Sequence, residues 1–391
     1  MKKIFKIIKL VKYLLGIEKR INPFLLARQA YKYFQNSLWI NQVSSESAIL
    51  VGSGLDQVTK NGDNFFEETK SLEPSLFSAN REVKTGFGTP DGNWSIYETF
   101  GFKICGHNPT WYFQEKVIKD SIFYSEKYDR IFFQLLLNLE RKSLKREKKI
   151  SLKSNPDKKY CLLDSNWNNY SHFIMEHIPK LRYIEMFYNN FNDFIFIVES
   201  NCPQWKIDIL TAVGVNPISV VEWNGIDLKV ITGIITTYPK LSYSNFTWLR
   251  EKIISNMKIA EPNGQDRLKI YLSRNKGPET RRICNELELI NFLKKNNFVI
   301  VYPEQLTFLE QFKIFNRAKL VVGPHGSGMV NIFAAKNISV IEFFDDRVAL
   351  GFRNISKILG FNWNFLFCDK VNKNYMKVPL NKFKKILSTI E

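Results

Sequence analysis

Residues 318–344, AKLVVGPHGSGMVNIFAAKNISVIEFF, limit the fold more than any other stretch of this chain. An apolar run at 320–322 enters the turn Gly323-Pro324-His325-Gly326-Ser327-Gly328. A helical pattern spans 329–335, and a second apolar run at 339–344 carries Glu342. Strand, glycine-rich turn, helix and strand in that order build a parallel sheet covered by helices. In such sheets ligands bind beyond the carboxyl ends of the strands, where a helix N-terminus offers N–H groups to an anion. The segment implies an α/β fold with a phosphate-bearing ligand at this turn and His325 in its middle. The glycines at 323, 326 and 328 do not spell the GxGxxG of dinucleotide folds.

The alternation extends upstream. Strands at 269–273 and 298–302 alternate with helices at 285–295 and 307–317, the first opened by Asn285, a favourable N-cap residue. Residues 268–370 thus read as one domain, a parallel sheet with helices on both faces. The polar stretch 260–267, AEPNGQDR, is the linker before it. Strands at 160–163, 194–198, 218–221 and 229–235 alternate with helices at 172–188, 204–213 and 246–259, giving a second α/β domain over 91–259. Short strands at 102–104 and 111–113 and an apolar-then-charged segment at 120–150 precede this alternation. Pro179 predicts a kink in the first helix, and Gly214 closes the second. Residues 1–90 form an N-terminal extension. Residues 371–391 read as a C-terminal helix, with the N-terminal half as an available packing surface. A chain of 391 residues accommodates two domains.

Lys and Arg number 56 against 38 Asp and Glu, a formal charge of +18. That favours anionic partners, although a genome rich in Lys, Asn, Ile and Phe codons would give the same bias. The five cysteines are scattered without a CxxC pair, which points to a reducing compartment, and the four histidines are too dispersed for a zinc site. The opening MKKIFKIIKLVKYLLGIEKR has lysines in every apolar run, unlike a signal peptide. Ile4, Ile7, Ile8, Val11, Leu14 and Leu15 share one helical face, with lysines mainly opposite. Residues 1–17 therefore suit contact with an anionic membrane surface, or packing on the domain with the lysines outward. The expected location is cytoplasmic, peripheral at the inner membrane face. No nucleic-acid-binding motif is present.

Four groups carry chemistry. Ser273-Arg274 ends a strand, and Arg281-Arg282 and Asn285-Glu286 lie just before a helix. Guanidinium groups hold phosphate bidentately, or alternatively pair with surface carboxylates such as Glu279. The second group is the His325 turn. Glu342 ends the next strand, where a carboxylate can accept from ribose hydroxyls. In NWNNYSHFIMEHIPKLR, residues 166–182, His172 and Glu176 are four apart on one helix face and make a usable general base. Asp164, at the end of the preceding strand, is a further catalytic candidate.

These positions, taken in order, resemble the core of glycosyltransferase family 61, which includes bacterial capsular polysaccharide enzymes, plant xylan-decorating enzymes and animal enzymes adding N-acetylglucosamine to proteins. The resemblance rests on Ser273-Arg274, Arg282, Asn285-Glu286, Asn297-Phe298, Pro303-Glu304, Gln311, Gly323 to Gly328 and Ile341-Glu342, together with Asn169-Tyr170-Ser171-His172, Glu176, Pro179 and Leu181. Ser327 replaces the usual Ala, and Asn297 stands where Gly is common. The resemblance implies a GT-B-like arrangement of two Rossmann-like domains facing a cleft, and an inverting, metal-independent transfer from a nucleotide-sugar to a glycan, glycolipid or protein hydroxyl. It implies surface polysaccharide assembly as the setting. It places Ser273, Arg274, Arg282, Asn285, Glu286, Gly323, His325, Gly326, Ser327, Gly328, Asn331 and Glu342 on the donor side, and the base among His172, Glu176 and Asp164. No cofactor or metal is expected, Asp345-Asp346 being an unconvincing metal motif, and no nucleic acid. A pyruvyl transferase of polysaccharides and a basic nucleic-acid-binding protein are the competing functions.

Overall fold

Five apolar segments build the C-terminal sheet: β6 (Leu268–Leu272), β7 (Phe298–Val301), β8 (Ala318–Pro324), β9 (Ser339–Phe344) and β10 (Asn362–Phe367). All neighbours pair in parallel, in the spatial order β7-β6-β8-β9-β10. Numbered along the chain the order is 2-1-3-4-5. It reverses between β6 and β8, which is where a doubly wound sheet binds its ligand. The computed structural model describes residues 39–40, 48–55, 57, 60, 82–84, 93–105, 109–113, 116–118, 152–164, 169–236, 239 and 241–390. The expected amphipathic helix at 1–17 and the 120–150 segment lie outside these residues.

The N-terminal sheet centres on β1 (Asn93–Cys105), β2 (Lys159–Leu162), β3 (Phe194–Val198), β4 (Val220–Glu222) and β5 (Leu228–Thr236). Strands β4-β3-β2-β5 run parallel, and in chain order these are 3-2-1-4. Beyond β5 the sheet turns antiparallel: the long strand β1 pairs with β5 and with the strand Thr110–Phe113. The N-terminal half is thus a mixed sheet, because the connection from β1 to Thr110–Phe113 is a short hairpin, which can only join antiparallel strands.

The covering helices are α1 (Pro179–Tyr188), α2 (Gln204–Ala212), α3 (Tyr243–Met257), α4 (Glu286–Lys295), α5 (Phe308–Asn316), α6 (Gly351–Ile358) and α7 (Leu380–Ile390). Helix α5 starts with a full capping box, Thr307 accepting from the Glu310 amide while Glu310 accepts from the Thr307 amide. Helix α7 packs on the C-terminal sheet, not on the N-terminal half. Phe383 meets Phe292 and Phe343 edge-on at 6.0 and 5.5 Å, and Phe383 and Leu387 are its buried residues. Leu380, Ile386 and Ile390 of the same helix pack, partly buried, against the cluster that holds Leu289, Leu293 and Phe343.

The expected α-helix at 329–335 is a 3-10 helix, Ser327–Ala334, with Met329 N–H donating to the Gly326 carbonyl. Residues 329–334 are all buried. Without a polar face no amphipathic stripe selects the α period, and Val, Asn, Ile and Phe are weak α-helix formers. This helix joins the two halves. Phe333 stacks on Phe246 of α3 at 6.5 Å, and Arg250 Nε donates to the Ala334 carbonyl at 2.8 Å. One apolar core runs through both sheets' helices, from Ile174 and Leu249 to Phe312, Phe333 and Phe352.

Candidate active site

The reversal between β6 and β8 places Arg274 and the His325 turn side by side. Arg274 Nε donates to the Thr280 carbonyl at 3.1 Å and Nη2 to Thr280 Oγ1 at 3.3 Å. Its Nη1 lies against Gly326, where a Cβ would sit 1.7 Å away. The Gly326 backbone is extended (φ 177), open to any residue, so the close approach of the guanidinium is what requires glycine. Gly326→Ala must push the Arg274 side chain aside. It is expected to leave melting nearly unchanged, because the displaced atoms end a flexible chain, and to lower kcat/KM roughly tenfold to a hundredfold. Calorimetry beside a turnover assay checks both halves.

Burial lowers the Arg274 pKa to about 10, aided by the nearby Arg281 charge, and Glu304 opposes the shift. The group stays cationic at neutral pH. Burial and the Arg347 charge also lower Arg281. Arg281 Nη1 reaches the His325 carbonyl at 3.5 Å, and its backbone is left-handed, with φ 57. The Nε atoms of Arg281 and Arg282 are both buried without a hydrogen-bond partner. Buried cationic donors are costly to leave unpaired, so the pair points to an anionic ligand. Arg282 spends its Nη2 on the Gly277 carbonyl, inside its own loop. Sequence reasoning carried Arg282 forward; the left-handed backbone that turns Arg281 toward His325 had no sequence signal.

His325 Nδ1 pairs with Glu342 Oε1, and Trp363 Nε1 donates to Glu342 Oε2 at 3.0 Å. Glu342 is fully buried. Both carboxylate oxygens are committed within the protein, so Glu342 orients His325 where ribose contact had been expected. The imidazole lies between Phe344 and Phe352, at 5.7 and 5.0 Å. Other expected donor residues also turn inward. Ser273 Oγ and Tyr271 OH donate to Glu286 Oε1 at 2.7 and 2.9 Å, in the core. Asn285 makes no side-chain cap; it clasps the backbone of Val378, accepting at 2.9 Å and donating at 3.0 Å. A Cβ on Gly323 would meet the Leu272 carbonyl at 2.6 Å, and one on Gly328 would meet Pro303 at 3.3 Å, so these glycines serve close packing. Asn331 is fully buried between Tyr170 and Gln311.

Across from the turn lies the His172 segment. Asn169 caps it, its Oδ1 accepting from the Ser171 and His172 amides at 3.1 and 3.3 Å. A π-turn, Phe173–His177, follows and runs into α1 at Pro179. Proline lacks an N–H and would clash with the carbonyl four residues back. The widened turn absorbs it, and the predicted kink becomes a π segment, a feature common at functional sites. His172 Nδ1 pairs with Glu176 Oε2 at 2.8 Å, the side chains 13% and 7% exposed. Ser327 Oγ donates to Asn169 Oδ1 at 3.4 Å, which brings this pair beside the His325 turn.

Asp164 does not join them. It is fully buried, ion-paired to the equally buried Lys206, which also donates to Glu199 Oε1 at 2.6 Å. Burial raises the Asp164 pKa against the pull of Lys206. His177 Nδ1 donates to the Leu163 carbonyl at 2.9 Å, and burial with the charges of Lys180 and Lys206 holds its pKa well below 6.5. The unfolded chain therefore binds one more proton at His177 as pH drops through the ordinary histidine value of 6.5. Stability from this residue falls toward acid by ~1.4 kcal/mol per pH unit below that point until the folded-state pKa is reached. His177→Asn, which keeps a donor near Leu163, should flatten this limb relative to wild type in urea titrations between pH 4 and 7.

Among the described residues no group of three His, Cys, Asp or Glu side chains is placed to hold a metal ion. Asp345 is claimed by Arg347, and Asp346 by Lys370. Among the described residues no helix is long and apolar enough to cross a membrane.

The two sides of this site fall within one matched region: residues 170–341 fit the family model described as Glycosyltransferase 61. This region belongs to glycosyltransferase family 61. No curated protein matches the chain. The glycosyltransferase 61 region begins at Tyr170, beside the Asn169 cap, and ends one residue before Glu342. It thus holds His172, Glu176, Arg274, Arg281 and His325, and it implies a sugar donor and an acceptor as substrates.

Proposed function

We propose that this chain is an inverting, metal-independent glycosyltransferase of GT-B arrangement that moves a sugar from a nucleoside-diphosphate donor to a hydroxyl acceptor in surface polysaccharide assembly. The contact between Ser327 and Asn169 carries this reading, because it sets a histidine–carboxylate pair beside an arginine and histidine cluster. In the proposed reaction the acceptor oxygen attacks the anomeric carbon while its proton passes to His172 Nε2, and Glu176 steadies the imidazolium through Nδ1. The bond from the anomeric carbon to the diphosphate breaks. Arg274, Arg281 and His325 take up the charge that develops on the leaving diphosphate. The basic residues 1–17 would hold the enzyme at the membrane face where lipid-linked glycans are built.

Released nucleoside diphosphate, measured across a panel of nucleotide-sugars, tests the reading without knowledge of the acceptor. One donor is expected to give slow hydrolysis that depends on Arg274 and Arg281. If no nucleotide-sugar is turned over and no nucleoside diphosphate raises the melting temperature, the reading fails.

A further inference from the structure

A buried polar chain links the base side of the site to the arginine loop. Tyr170 OH, two residues before His172, donates to Asn331 Oδ1 at 2.8 Å. Asn331 Nδ2 donates to Gln311 Oε1 at 2.8 Å. Gln311 Nε2 donates to the Pro303 and Leu306 carbonyls at 3.0 and 3.1 Å, which fixes the turn Pro303–Gln305. Glu304 in that turn lies against Gly277, where a Cβ would sit 1.9 Å from its Oε1, and its charge acts on Arg274. Asn331 is fully buried, and burial pushes the Tyr170 phenol pKa up, so the phenol is a fixed neutral donor. Ser327 adds a second bond to the same segment through Asn169.

None of these groups points to a ligand of its own, since Asn331 is spent on both sides within the protein. Their geometry fixes one distance, that between the His172–Glu176 pair and the cationic side. An in-line transfer is sensitive to that distance, since reacting atoms displaced by about 1 Å can lose two orders of magnitude in rate.

Resting on the transferase reading above, we propose that Tyr170 is a positioning residue: its bond to Asn331 holds the His172–Glu176 pair at the correct distance from the donor diphosphate, and Ser327 reinforces that hold. Tyr170→Phe keeps the ring against Trp205, which it meets edge-on at 5.3 Å, and removes only the hydroxyl. Transfer kcat should fall roughly tenfold, with the KM for the donor within about twofold of wild type. The share of donor lost to water should rise, because a misplaced base activates the acceptor less well. Ser327→Ala should give the same pattern more weakly, and the double variant a smaller loss than the two single losses multiplied together.

A Tyr170→Phe protein that melts earlier but, below its melting point, keeps wild-type kcat, KM and hydrolysis share would overturn the proposal. So would a raised donor KM with unchanged kcat. A wild-type protein that turns over no donor would instead remove the transferase reading. The link itself is then read by hydrogen exchange: Tyr170→Phe should speed exchange in both 170–178 and 327–334. Acceleration in only one of these segments would overturn it.

Discussion

Arg281→Ala is expected to lower kcat/KM by roughly a hundredfold to a thousandfold, the usual loss when one preorganised charge donor to a leaving group is removed. Arg282→Ala should cost about tenfold or less on the same scale, because part of its guanidinium already serves the Gly277 carbonyl. Arg281 Nη1 reaches the His325 carbonyl, its Nε is buried without a partner, and its main chain sits in the left-handed region. That conformation costs an ordinary residue roughly 1–2 kcal/mol. Strain of this kind persists where the position of the side chain matters. Arg281→Gly separates the two effects. It releases the strain, offsets the extra flexibility of glycine in the unfolded chain, and should leave melting within a few degrees of wild type while activity is lost as in Arg281→Ala. Nucleoside diphosphate titration beside steady-state kinetics checks this: both variants should bind the diphosphate more weakly. Diphosphate binding unchanged in both Arg281 variants would remove Arg281 from the anion side, and equal losses for Arg281 and Arg282 would remove the ranking of the two.

Much of the C-terminal sheet was legible because its strands read as continuous apolar runs. The runs at 298–302 and 339–344 fall on β7 and β9 within a residue, although β7 is the edge strand and leaves Val299 exposed. Turn chemistry was legible too. Asn297 has φ 61, the left-handed region that asparagine enters more cheaply than most residues. The 3-10 helix was not legible, since a segment buried on every side has no period to read. The direction of polar side chains also stayed hidden. Glu342, Glu286, Asn331 and Asp164 look like site residues in sequence because they end strands or flank the turn. Their partners, Trp363, Tyr271, Tyr170 and Lys206, lie 15 or more residues away along the chain. A carboxylate at a strand end can face ligand or core with the same local sequence, and only the tertiary neighbours decide. His172 and Glu176 were legible as a pair because four residues is a helical contact distance, and the π-turn preserved it.

The two histidine–glutamate pairs are alike in local geometry, each joined through Nδ1 with the imidazole 13% exposed, so their company must assign the roles. His325 shares its turn with the Arg274 guanidinium and its carbonyl with Arg281. Beside these two guanidinium groups, it suits contact with a departing anion. His172 stands on a helix start capped by Asn169, where an imidazolium formed by proton transfer would be balanced by Glu176. His172→Gln is therefore expected to lower kcat for transfer by roughly 10²–10⁴-fold, the contribution of a positioned general base, with diphosphate affinity unchanged. Glu176→Gln should lose less, because the ring keeps a hydrogen-bond acceptor but not a counter-charge. His325→Gln should show the opposite division: weaker diphosphate binding, with kcat and kcat/KM falling together for both transfer and hydrolysis. Measuring diphosphate affinity by calorimetry and turnover on the same three proteins decides the assignment. Weakened affinity in His172→Gln with intact affinity in His325→Gln would reverse the two roles and put the base on the arginine side.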